Sequence, residues 1–289
     1  MPDYSPTVRR RRLAAELRRL REQSGQTAEQ IAEAVGWSTS KISRYELART
    51  GLKPTDVRTL LDHYDVGSSR RNELMALARE ATTKGWWESY SDVLPSEYSD
   101  LIGLEDEARS CLIWQAECVP GLLQTPEYAR EINEGFRQVA AMPPSAMERR
   151  VQARILRQRI LTRDPPLEVS AVLDESVLLR QVADQLVMRE QLERLVEIGE
   201  MPNITIRILP LHGKRPIMAA SFALLMFGEA HDAGFHDVVS TENLTSALAF
   251  HGETDTYLYR LTFEYIIKSA LSSADSKVLI AETAEQAWR

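Results

Sequence analysis

Apolar positions over the first 84 residues recur at helical spacing. In "VRRRRLAAELRRLREQSG", Leu13, Leu17 and Leu20 share one helix face, and Gly25 supplies the left-handed residue that ends such a helix. Thr27 and Gln30, three apart, form the two halves of a capping box for a second helix. Its apolar face is Ile31, Ala32 and Val35, and Gly36 stops it. Ser38 opens a third helix through about Leu47, Pro54 or Thr55 a fourth, and Ser68 a fifth. The pattern predicts an all-α unit of five short helices over residues 1–84.

From Gly85 onward the pattern is mixed, and residues 85–289 are expected to form a second domain reached through an aromatic and acidic linker. "YSDLIGLEDEARSCLIWQ" reads as one helix, "AECVPGLLQT" as a turn at Pro120-Gly121, and a helix follows near Thr125 with Pro126 at its first position. A charged helix is expected from Ser145 to Arg163, closed by "DPP". "LEVSAVLDESVL" reads as a strand passing into a helix, and "MREQLERLVEIGEMPNITIRILPL" as a helix, a turn and a strand from Thr205 to Leu209. "SFALLMF" and "DVVSTE" are two further strands, and the last stretches are helices. Strands without regular alternation predict an α+β domain.

Composition sharpens this division. The 289 residues carry a formal net charge of −7, yet residues 1–84 hold 16 Lys and Arg against 11 Asp and Glu, while the remainder hold 19 against 31. A basic module on an acidic body suggests that one end contacts nucleic acid and the other does something else. No apolar run approaches the ~18–20 residues of a membrane span, and "MPDYSPTVRRRRLAAELRRL" lacks the apolar stretch of a secretion signal, so a cytoplasmic protein with no membrane contact is expected. Cys111 and Cys118 are too few for a disulfide framework and too far apart for a metal knuckle, and both are expected as buried free thiols.

The segment "TAEQIAEAVGWSTSKISRYE" has the spacing of a helix-turn-helix: small Ala32 where two helices touch, Gly36 in the turn and branched Ile42 pinning the second helix. With "YE" at Tyr45-Glu46 closing that helix, the sequence from about Val8 to Lys84 resembles the lambda-repressor-like, XRE-type DNA-binding domain. The candidate base readers in the major groove of double-stranded DNA are Ser38, Thr39, Ser40 and Arg44. Thr27 at the start of the preceding helix, Lys41, Ser43, Lys53 and the run from Arg9 to Arg12 are the candidate phosphate contacts. One module reads few base pairs, so a homodimer on a pseudo-palindrome is expected.

The second constellation is "WQAECVPGLLQTPEYAR", Trp114 to Arg130, which on physical grounds reads as a buried turn. Together with "RQ" at Arg157-Gln158, "LDESVLLR" at Leu173 to Arg180, "QLERL" at Gln191 to Leu195 and "ITIRILPL" at Ile204 to Leu211, it resembles the C-terminal domain of the WhiJ-like class of actinobacterial regulators. That resemblance implies a transcription factor often paired with a small acidic partner protein that acts on this domain.

Other segments hold less. "HDAGFHD" gathers His231, Asp232, His236 and Asp237 but lacks the helical spacing of a metal site and reads as a solvated turn. "HGKRP" and "LLMFGEA" lack the glycine-rich run of a phosphate cradle, and no serine sits in a nucleophile elbow, so no enzyme activity and no cofactor is expected. Asp174 and Glu175 suit a helix cap better than a ligand site. Tyr257, Leu258, Leu261, Phe263, Ile266 and Ile267 recur at helical spacing, as core or as a dimer face. Two rival readings use the same residues: a small-molecule sensor or enzyme-like domain tethered to a helical module, and a protein-interaction adaptor with no DNA role.

Overall fold

The computed structural model describes residues 6–48, 50–137, 142–212, 219–227, 237–242, 247–250 and 252–289. The described residues divide into two compact units, the first ending at Glu88 and the second beginning at Ser89.

The first unit is helical, with α1 (Pro6–Gln23), α2 (Ala28–Val35), α3 (Thr39–Glu46), α4 (Pro54–His63) and α5 (Ser68–Glu80). Local signals set these bounds. Gly25 and Gly36 take φ of +67° and +70°, conformations that cost a residue with a Cβ. Thr27 and Gln30 complete the capping box, with Thr27 N donating to Gln30 Oε1 at 2.8 Å and Gln30 N to Thr27 Oγ1 at 3.3 Å. Leu13 and Leu17 of α1, Ile31 and Ala32 of α2, Ile42 and Tyr45 of α3, Val57, Leu60 and Leu61 of α4, and Leu74 and Ala78 of α5 form one core. Truncating a fully buried member such as Ile31 or Ile42 to alanine costs about 2–5 kcal/mol.

The second unit is α+β. After α6 (Ser96–Glu105) come β1 (Ser110–Gln115), α7 (Pro126–Arg137), α8 (Pro144–Arg157), β2 (Glu168–Asp174), α9 (Ser176–Leu179), α10 (Gln185–Ile198) and β3 (Ile204–Leu209). The chain continues through β4 (Phe222–Met226), β5 (Val238–Glu242), β6 (Ala247–Phe250), α11 (Glu253–Ser269) and α12 (Ser273–Gln286). The strands form one mixed sheet in the order β3-β2-β1-β4-β5-β6. β1 runs parallel to β2 and β2 to β3, whereas β1–β4, β4–β5 and β5–β6 are antiparallel. On one sheet face Trp114, Val172, Leu209, Phe222, Leu224 and Val239 pack against Phe263 and Ile266 of α11. At the β3 edge Ile208 N donates to Ser276 Oγ of α12 and Leu271 N donates to Ile208 O, each at 2.9 Å, so the backbone there is covered.

Three expectations are corrected. Residues 110–115, expected to continue a helix, are the strand β1 near the sheet centre. Cys111 and Ile113 are buried on one face and Trp114 on the other, so the strand carries no polar alternation, and a short apolar run does not separate buried strand from buried helix. The charged helix ends at Arg157 and tightens into a 3-10 turn over Gln158–Leu161. Cys111 is buried, but Cys118 is half-exposed.

A candidate nucleic-acid interface

α2 and α3 are joined by a turn in which Gly36 N donates to Glu33 O and Trp37 N to Ala32 O. Ser38 then caps α3, its Oγ accepting from Lys41 N at 3.3 Å and lying 3.1 Å from Ser40 Oγ. Ile42 and Tyr45 anchor α3 in the core, which leaves Thr39, Ser40, Ser43 and Arg44 on the opposite face by helical geometry. Ser38, Ser40, Ser43 and Arg44 are exposed and Thr39 is half-exposed. Leu47, which ends the helix on that same side, is 49% exposed.

Polar contacts fix the helix from behind. Arg21 Nε and Nη2 donate to Glu46 Oε1 and Oε2 at 2.7 and 2.9 Å, tying the end of α3 to the end of α1. Tyr45 donates its hydroxyl proton to Asp56 Oδ2 at 2.5 Å, and the Lys41 ammonium lies 2.9 Å from the same carboxylate oxygen and 3.6 Å above the Trp37 ring. Burial alone would raise Asp56, but the bonds from Tyr45 and Lys41 outweigh it and hold the carboxyl below its ordinary range. Burial, with the Asp56 hydrogen bond, pushes the Tyr45 phenol up to about 12.

The structure therefore sorts the candidate residues. Ser38, Thr39, Ser40, Ser43 and Arg44 lie together on or beside the outer face of α3, and Arg44 makes no ion pair among the described residues. Thr27 is exposed at the N-terminus of α2, and Lys53 is exposed at the N-cap of α4. Arg12 is half-buried on α1. Lys41 is occupied by Asp56 and Trp37, and Arg9 is buried with its Nε 3.6 Å from Glu80 Oε2 on α5. Arg9 is thus held where α1 packs on α5, while Lys41, half-exposed, is tied to the first turn of α4 through Asp56. Arg21 and Asp56 escaped the sequence reading because their partners lie far along the chain; the "YE" pair was the visible half of both contacts.

The "VPGLLQT" segment of the second unit is a buried turn whose backbone is satisfied by side chains from the turn itself, from α7 and α10, and from the 3-10 turn after α8. Gln124 Nε2 donates to Val119 O at 2.7 Å, and Val119 N donates to the Tyr128 hydroxyl at 3.3 Å. Gln158 Nε2 donates to the carbonyls of Gly121 and Gln124, and Arg154 Nη1 to Gln124 Oε1. From α10, Gln191 Nε2 donates to Leu123 O at 2.9 Å while its Oε1 accepts from Thr125 N at 2.8 Å. Buried backbone groups must be paired, so Gln158 of "RQ" and Gln191 of "QL" are polar braces for this turn. Asp174, the last residue of β2, accepts through Oδ1 from Ser176 N at 3.1 Å and from Ser176 Oγ at 2.6 Å, while Glu175, at the N-cap of α9, accepts through Oε2 from Leu211 N at 2.7 Å and makes no side-chain cap bond.

His231, Asp232 and His236 lie outside the described residues; Asp237 Oδ2 accepts from Arg260 Nη2. Among the described residues no three His, Cys, Asp or Glu side chains are grouped to hold a metal ion, and no helix is long and apolar enough to cross a membrane.

Comparison with known proteins gives two family matches. Residues 12–74 match a helix-turn-helix domain, spanning the turn between α2 and α3 described above. No curated protein and no solved structure matches the chain. Residues 98–282, more than half of the chain, match a domain of unknown function, DUF5753, and the chain belongs to that family, with a helix-turn-helix domain at its N-terminal end.

Proposed function

We propose that this protein is a sequence-specific transcriptional regulator that binds double-stranded DNA through α3. The observation that carries the reading is the two-sidedness of that helix. Its inner face is pinned to α1 by Arg21–Glu46 and to α4 by Tyr45 and Lys41 on Asp56, while its outer face presents hydroxyls and an exposed guanidinium. Such a face suits the major groove, where Arg44 pairs with guanine edges and Ser38, Thr39 and Ser40 hydrogen-bond bases. Thr27, Ser43, Lys53 and Arg12 supply phosphate contacts, with the positive end of α2 behind Thr27. Lys41 and Arg9 act as positioning residues.

In this reading the first unit is XRE-type, and the second belongs to the WhiJ-like class of actinobacterial regulators, is not an enzyme, and controls DNA occupancy in a cytoplasmic homodimer. A ligand or a small acidic partner protein exerts that control by preferring one arrangement of the dimer. The test is selection of genomic fragments by the purified protein, with binding followed against salt. Enriched sites sharing a two-fold pattern, bound with affinity that falls steeply as salt rises, are expected. Enrichment of no fragment would falsify the reading.

A further inference from the structure

The geometry points to an oxyanion-binding site on α8, formed by the guanidinium groups of Arg150 and Arg154. Four arginines of this helix face the segment that opens the second unit, and they divide into two kinds. Arg149 is paired with Asp92 and donates to Ser89 O. Arg157, buried, is paired with Glu105 at 2.6 Å and donates to the Tyr98 hydroxyl at 2.8 Å. Between them, Arg150 gives its Nε to Val93 O, and Arg154 gives one Nη to Gln124 Oε1 at 2.9 Å while lying 5.8 Å from the centre of the Tyr98 ring. Neither has a carboxylate partner among the described residues, although residues 85–289 hold 31 acidic side chains against 19 basic ones.

Four residues apart on one helix, the two side chains emerge roughly 5–6 Å from one another and repel. Both are half-buried, so water screens that repulsion incompletely. Burial, and then the Arg154 charge, lowers the Arg150 guanidinium from its ordinary value. Each arginine has spent one donor on holding the fold, which leaves its remaining N–H groups for a ligand. Paired planar donor forks bind a carboxylate or phosphate in bidentate fashion. A bound oxyanion cancels the repulsion in the half-buried setting where it is strongest, beside the Val93 carbonyl at the start of the second unit.

The test is titration of the full chain with sodium phosphate and, separately, sodium acetate, at constant pH and ionic strength balanced with chloride. Melting temperature and heat of binding are the readouts. A saturable rise in melting temperature of about 2–4 °C is expected. A response to phosphate alone identifies the ligand group as phosphate, and a response to acetate as carboxylate. R150Q/R154Q should abolish the response. R150K/R154K, which keeps both charges but loses the forks, should weaken it about tenfold and serves where the glutamine variant does not fold. No saturable response to either anion in the wild type, or an undiminished response in both variants, overturns the site. Neither readout depends on DNA, so the outcome is independent of the regulator reading.

Discussion

Arg21 and Glu46 are joined by two parallel charge-assisted hydrogen bonds, at 2.7 and 2.9 Å, that bind the last turn of α1 to the last turn of α3. Both side chains are mostly buried, at 16% and 10% exposure, so neither is replaced by water without cost. Arg21→Ala and Glu46→Ala should each destabilise the first unit by about 1.5–3 kcal/mol in denaturant unfolding. The double variant should lose much less than the two losses combined. Strict additivity would show that the pair does not act as a unit.

Arg44→Ala should leave the stability of the unit within about 0.5 kcal/mol, because the side chain is exposed and makes no ion pair among the described residues. Binding to a selected operator should weaken by about 1–3 kcal/mol, with random DNA less affected. Equal losses on both DNAs in a titration would assign Arg44 to phosphate rather than to bases.

The Tyr45–Asp56–Lys41 cluster gives stability a pH signature at both ends. Asp56 is held below its ordinary value, so its contribution is present above the unfolded carboxylate range, near pH ~4, and is lost as pH falls through the folded value. Tyr45 is pushed up to about 12, so its contribution is full below the unfolded phenol value, near ~10, and disappears as pH rises toward 12. Asp56→Asn should flatten the acid limb of the unfolding profile. Tyr45→Phe should reduce the alkaline limb without removing it, since Tyr64, raised by burial to about 12, retains its share.

Gln191→Ala should destabilise the second unit by about 2–4 kcal/mol, because it orphans Leu123 O and Thr125 N and opens a void. Hydrogen exchange at Thr125 should speed up with it. Protection of Thr125 equal to that of the wild type would mean that the turn is held by its other braces alone.

Legibility followed sequence separation. The first unit could be read residue by residue because caps and stops act within four positions: Thr27 with Gln30, Ser38 with Lys41, and Gly25 and Gly36 at positive φ. The outer face of α3 was visible for the same reason. What was not legible depended on distant partners. Arg9 and Lys41 read as candidate phosphate contacts, and nothing near them in the chain announces that α5 brings Glu80 to the one and α4 brings Asp56 to the other. Residues 110–115 carry no period that distinguishes a strand buried on both sides, since their neighbours β2 and β4 come from 168–174 and 222–226. The turn at Pro120-Gly121 was legible as buried, but not that Gln158 and Gln191 support it.

The mixed sheet also sets an order of events during synthesis. Among the described residues the core of the first unit is built from its own five helices, which are close in sequence, so that core can form early in synthesis. β1 cannot: its antiparallel neighbour begins at Phe222, opposite Trp114, so more than a hundred further residues must be made before that side is paired. During that interval one edge of an apolar strand stands open, and a nascent chain stalled before Phe222 would meet chaperones or other nascent chains by that edge.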